Sequence, residues 1–215
     1  MNDSPIHHLD NYQNQLDIKV QNFRQAFKDA SLEVSDISVY DSEPLGFRMR
    51  AEFRICHQDG TAQYAMNKPG EKHPYTIDSF PIGSALINHL MPPILEAINA
   101  SDVLSRKLFN IEFLTTLSNE ALVTLIYHRQ LDSQWQIEAR KLQSALNIKI
   151  IGRSRKQKVV LDKDYVTERL TVDNREYHYQ QVETGFTQPN ARVNCKMLRW
   201  ASQCLINNQG DLIEL

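Results

Sequence analysis

The chain has 215 residues, 24 Lys plus Arg against 26 Asp plus Glu for a net charge of −2, and is 41% hydrophobic and 23% charged. That content can bury a core, which excludes wholesale disorder, and the length suits one large domain or a domain and a half. No run approaches the roughly 18 apolar residues of a membrane span, the polar N-terminus carries neither a signal core nor a basic transit sequence, and three scattered cysteines exclude a disulfide framework or a four-thiolate metal site.

The first predicted element is a helix, because Tyr12, Leu16, Val20, Phe23 and Phe27 recur as one apolar stripe expected to pack on a core, with Asp10 or Asn11 as its cap. A strand follows at 47–55. Its period of two puts Phe47, Met49, Ala51, Phe53 and Ile55 on one face and Arg48, Arg50, Glu52 and Arg54 on the other. Three guanidiniums on one sheet face are a candidate phosphate-reading row; a solvated face with a Glu–Arg pair is the other reading. Asp59-Gly60 and Asn67-Lys68-Pro69-Gly70 mark turns, so residues 47–80 read as an antiparallel meander.

Residues 84–99 look helical, but Pro92-Pro93 should break or kink them. Ile111–Leu117 and Ala121–Tyr127 read as a hairpin across Ser118-Asn119-Glu120. Ser133 and Gln136 suggest a capping box for a helix that buries Trp135, Ala139, Leu142 and Leu146, and 147–151 reads as a strand. The densest basic run follows, with Arg153, Arg155, Lys156 and Lys158 between two strand-like segments. It is either a polyanion-facing loop or an ordinary solvated turn.

From about residue 177 the character changes. Glu176–Val182 reads as a strand, and 185–190 as an irregular junction. A helix with Val193, Met197, Trp200, Ala201 and Cys204 on one stripe is stopped at 207–210, and Asp211–Leu215 resembles a buried strand. Helix, Gly turn and apolar strand open a doubly wound α/β domain. The seven glycines lie ten or more residues apart, so no P-loop or dinucleotide fingerprint is present.

These segments together resemble the N-terminal part of the bacterial tRNA (uracil-5-)-methyltransferases, which make 5-methyluridine in the T-loop of tRNA. The matching stretches are RMRAEFR (48–54), DSFP (78–81), KLFNIEFLTTLSN (107–119), IGRSRKQK (151–158), DKDY (162–165), FTQPN (186–190) and GDLIEL (210–215). The resemblance implies an α+β fold. An N-terminal helix at 1–35 precedes an antiparallel-sheet RNA-binding domain with flanking helices at 36–177. The first elements of a Rossmann-like methyltransferase domain occupy 178–215. In the family, GDLIEL leads into the S-adenosylmethionine loop, and the catalytic Cys and general-base Glu come later. The chain is therefore expected to be truncated before that loop and inactive alone, with no catalytic residue among Cys56, Cys195 and Cys204.

Residue roles carry over by position. The resemblance makes Phe109 a base-stacking aromatic, and Arg48, Arg50 and Arg54 a basic strand on which Arg54 touches RNA and Glu52 orients an arginine. It makes His128 a phosphate or base contact, with a structural His as the other reading. Arg153, Arg155, Lys156 and Lys158 become backbone-phosphate contacts, and Gln188 a contact to S-adenosylmethionine. Phe186 and Asn190 shape the junction, and Asn190 serves equally well as a helix cap. The implied partner is the tRNA T-arm, with tmRNA as a second substrate. The protein is expected to be a cytoplasmic monomer without a metal or membrane contact. A free-standing, non-catalytic RNA-binding or RNA-chaperone protein is the other function the residues allow.

Overall fold

The computed structural model describes residues 11–34, 36–68, 70, 73–206 and 210. Helix α1 (Tyr12–Asp29) comes first. Strands β1 (Arg50–Gln58) and β2 (Thr61–Met66) form a hairpin. Its turn residues Asp59 and Gly60 have φ of 51° and 80°, the left-handed pair that a tight two-residue hairpin requires. The short β3 (Tyr75–Thr76) completes the meander. After α2 (Ala85–Asn99) and α3 (Asp102–Ser105), β4 (Leu108–Thr115) pairs with β1, and β5 (Ala121–Tyr127) pairs with β4. Helix α4 (Ser133–Leu146) makes a crossover, which lets β6 (Lys149–Ser154) lie parallel to β5. Strand β7 (Gln157–Val160) then turns back. The result is a seven-stranded, mostly antiparallel sheet in the order β3-β2-β1-β4-β5-β6-β7, and the fold is α+β.

The two faces of this sheet have different fates. One carries α2, α3 and α4 over an apolar core. Phe53 stands at its centre, edge-on to Tyr64, Phe80 and Phe113 at ring separations of 5.5, 5.1 and 5.8 Å. Such pairs add about 0.5–1.5 kcal/mol each beyond the area they bury. Gly152 is required here by close approach: a Cβ would meet the Trp135 ring at 2.3 Å and Leu131 at 2.5 Å.

The opposite face is only partly covered. A two-stranded hairpin, β8 (Tyr165–Val172) and β9 (Arg175–Val182), lays Val166 against Leu114, Leu122 and Ile151. The rest, including Glu52 and Arg54, is open to solvent. Helix α5 (Ala191–Leu205) follows the junction, with the Asn190 side chain accepting from the Val193 N–H at 3.0 Å. The change of character read near residue 177 falls inside β9.

Several expectations need correction. The α1 stripe is not a core stripe: no residue of α1 is buried, and Phe23 is 47% exposed. Asn11 stands at its N-cap without a side-chain capping bond. Helix α2 runs unbroken through Pro92-Pro93. Pro92 is exposed and Pro93 half-buried, so the carbonyls deprived of a donor lie toward water. Asp132, not Ser133, caps α4, its carboxylate accepting from the Trp135 N–H at 2.8 Å. Asn147 ends α4 in the left-handed conformation rather than opening a strand. The terminal strand expected at 211–215, and most of the stop at 207–210, lie outside the described residues.

Candidate nucleic-acid interface

The β4–β5 ladder slips between Leu108 and Asn110, leaving Phe109 as the extra residue of a bulge. A bulge re-aims the side chain it carries. Phe109 accordingly leaves the core and stacks on His128, with ring centroids 4.2 Å apart and planes 22° from parallel. The Arg54 guanidinium reaches over the same ring, 5.5 Å from its centroid. A flat ring pair with a cation beside it is a platform on which an unstacked base can lie.

The platform is framed by fixed groups. Asn110 donates its side-chain amide to Glu52, which stands opposite Glu112 in the β1–β4 register. Glu52 is thus held by an asparagine rather than by an arginine, contrary to expectation. Burial and the facing Glu52 push the Glu112 carboxyl above its usual range. On the far side, His128, Arg129, Ser154, Arg155, Lys156 and Gln157 line one open cleft. Arg129 is fixed by donating to the backbone carbonyls of Val103, Arg106 and Gln130. Arg155 and Lys156 sit exposed at the β6–β7 turn, where Lys156 has φ of 61°, and they form no ion pair among the described residues.

The other basic residues are placed differently. Arg153 and Lys158 are register partners two steps inward from that turn, behind Ser154 and Gln157. Both grip the buried carboxylate of Glu183: Arg153 bidentately, one arm at 2.6 Å, and Lys158 at 3.2 Å, with a second bond from Lys158 to Asp164 at 2.8 Å. Burial alone would raise the Glu183 carboxyl, but the two cations outweigh it and hold it below the usual range. Arg50 donates to the backbone carbonyls of Glu183 and Gly185 and so ties β1 to the junction. Arg48 turns back onto the Arg50 carbonyl at 2.9 Å. The arginine row is one face by sequence, but only Arg54 lies at the platform.

Gln188 is half-buried and donates to the Met197 sulfur at 3.8 Å, a weak acceptor, so its amide retains capacity for a ligand. Phe186 beside it is 89% exposed. Burial, then Glu168, pushes the Cys195 thiol up, the opposite of an activated nucleophile. Among the described residues no group of three or more His, Cys, Asp or Glu could hold a metal, and no helix is long and apolar enough to cross a membrane. Sequence reading missed Asn110, Arg129 and Glu183. Glu183 lies 30 residues from Arg153, with no local pattern to join them.

The tRNA (uracil-5-)-methyltransferase family profile matches residues 11–215. A tRNA/tmRNA (uracil-C(5))-methyltransferase of Cellvibrio japonicus is 51% identical over 204 residues, covering 95% of this chain and 55% of the relative. The corresponding protein of Chromohalobacter salexigens is 49% identical, covering 98% and 57%. The chain thus spans little more than half the length of these curated relatives. Among solved structures, Pyrococcus abyssi tRNA (uracil-54, C5)-methyltransferase in complex with S-adenosyl-L-homocysteine superposes with a TM-score of 0.61 at 16% identity, over 90% of this chain and 48% of that one. This likeness is one of fold.

Proposed function

The chain belongs to the tRNA (uracil-5-)-methyltransferase family, and from that premise we propose that its open sheet face is the surface by which such an enzyme takes hold of the tRNA T-arm. The observation that carries this reading is the Phe109–His128 stack with Arg54 above it, beside the exposed Arg155 and Lys156. Phe109 and His128 receive a base that has left the loop stack. Arg54 holds that base or its neighbouring phosphate, and Arg155 and Lys156 meet the flanking backbone. Stacking contributes about 1–3 kcal/mol per base and is tolerant of sequence, whereas the cations set orientation and salt dependence.

Extracting a loop base serves a reaction at carbon 5 of uracil, which an intact stack would shield. In the reaction proposed for the whole enzyme, a Cys thiolate adds to carbon 6, making carbon 5 nucleophilic. Carbon 5 is methylated, a base removes its proton, and the thiolate leaves. S-adenosylmethionine would supply the methyl group, and we assign its contact within this chain to Gln188. Within this scheme Arg50, Arg153, Lys158 and Glu183 hold the junction that carries Gln188 against the sheet.

The test is titration of the full chain with a synthetic T-stem-loop RNA across a series of salt concentrations. We expect affinity at low salt that falls linearly on a log–log plot. Absence of binding at low salt defeats the reading.

A further inference from the structure

The basic hairpin carries four cations, but the structure divides them into two pairs. Arg155 and Lys156 are free at the turn. Arg153 and Lys158 lie two register steps behind, where the residues that follow β9 reach the sheet, with about a third of each side chain still exposed (33% and 31%). Glu183, whose side chain is 4% exposed, engages both cations with its two oxygens as a phosphate would, and Asp164 supplies the second negative charge by accepting from Lys158 at 2.8 Å. Glu183 is itself held from several sides. Its N–H donates to the Asp164 carbonyl at 2.9 Å, its own carbonyl accepts from Arg50, and Thr124 Oγ1 lies 3.5 Å from its carboxylate.

We infer that Glu183 is a positioning residue, a built-in phosphate mimic that withholds Arg153 and Lys158 from RNA so that only the turn cations meet the backbone. This rests on the RNA-binding reading above. The device limits nonspecific electrostatic grip: each phosphate neutralised steepens the salt dependence by about 0.7–0.9 in log–log slope, and a hairpin using four cations would bind any polyanion more tightly. With two of the four internally satisfied, discrimination falls to the stacking platform. The same pairing ties the hairpin to the junction that follows β9.

The experiment compares salt slopes for T-stem-loop RNA binding by the full chain and two variants. Glu183→Gln frees Arg153 while Lys158 keeps its bond to Asp164, and we expect the slope to steepen by about 0.7–0.9, with binding of unrelated duplex RNA rising at low salt. Arg153→Gln should leave the slope where it is, because Arg153 meets no phosphate. An unchanged or shallower slope in Glu183→Gln overturns the inference. So does a slope made shallower by about 0.7 in Arg153→Gln, and that arm stands even if Glu183→Gln fails to fold. A purely structural Glu183 would lower affinity without steepening the slope. If the unaltered chain binds no RNA, the function fails first, and the two failures are distinguished.

Discussion

Arg50 and Arg54 stand four residues apart on the same face of the same strand, yet they do opposite work. Arg50 turns inward to the carbonyls of Glu183 and Gly185, where the β8–β9 hairpin and the junction cover the sheet. Arg54 stays in solvent above Phe109, where no described helix or hairpin covers the sheet. The basic hairpin repeats the division over two residue pairs, with Arg153 and Lys158 satisfied internally and Arg155 and Lys156 free. Strand periodicity assigns a face. Whether a cation on that face is structural or available depends on what lies over it, and that comes from residues distant along the chain, 133 positions for Arg50 and 30 for Arg153.

Substitutions can break this contrast at either end. The largest effect on stability is expected from Arg50→Ala, which leaves two carbonyls at a part-buried site without donors. We expect a loss of about 2–3 kcal/mol in urea unfolding, with the RNA salt slope unchanged. Arg54→Ala should do the reverse: stability within about 0.5 kcal/mol of the unaltered chain, and T-stem-loop affinity lower by about 0.5–2 kcal/mol. Lys156→Gln should reduce the salt slope by about 0.7 and little else.

The smallest effect is a pH dependence at the boundary between the two ends. The folded-state pKa of Glu112 is raised, so its ionised form disfavours the fold. That penalty is absent below the ordinary Glu range and grows as pH rises through the raised value. Glu112→Gln should therefore stabilise the chain at neutral pH and lose that advantage in acid, as read by thermal unfolding at two pH values. Glu183 has the opposite sign. Its lowered pKa contributes stability above the ordinary Glu range that disappears as pH falls through the folded value.

Much of the fold was legible because its elements obey simple periods. The alternation of 47–55, the β4–β5 hairpin and the Trp135–Ala139–Leu142 stripe all mark what is buried. β8 escaped because Glu168 interrupts the inward set Val166, Leu170 and Val172; it is fully buried and accepts from the Leu117 and Arg169 N–H groups. The α1 stripe misled because an amphipathic period shows which residues share a face, not that a surface covers it. At the site, Phe109 reads as a core residue beside Leu108 until the bulge separates them. Sequence resemblance implies a stacking role for it, and the bulge turns the ring outward, where that role is proposed. The pairing of Arg153 and Lys158 with Glu183 could not be read from the chain, since it depends on register and on a carboxylate delivered from just past β9.

In the proposed function the Phe109–His128 platform takes up an unstacked base while the covered end only supports it. The most direct measurement is the binding of Phe109→Ala to two RNAs at the same salt concentration, a T-stem-loop and a duplex of the same stem without the loop. Loop binding is expected to weaken by about 1–3 kcal/mol while duplex binding and the salt slope hold. Equal weakening on both RNAs, or none on the loop, would contradict it.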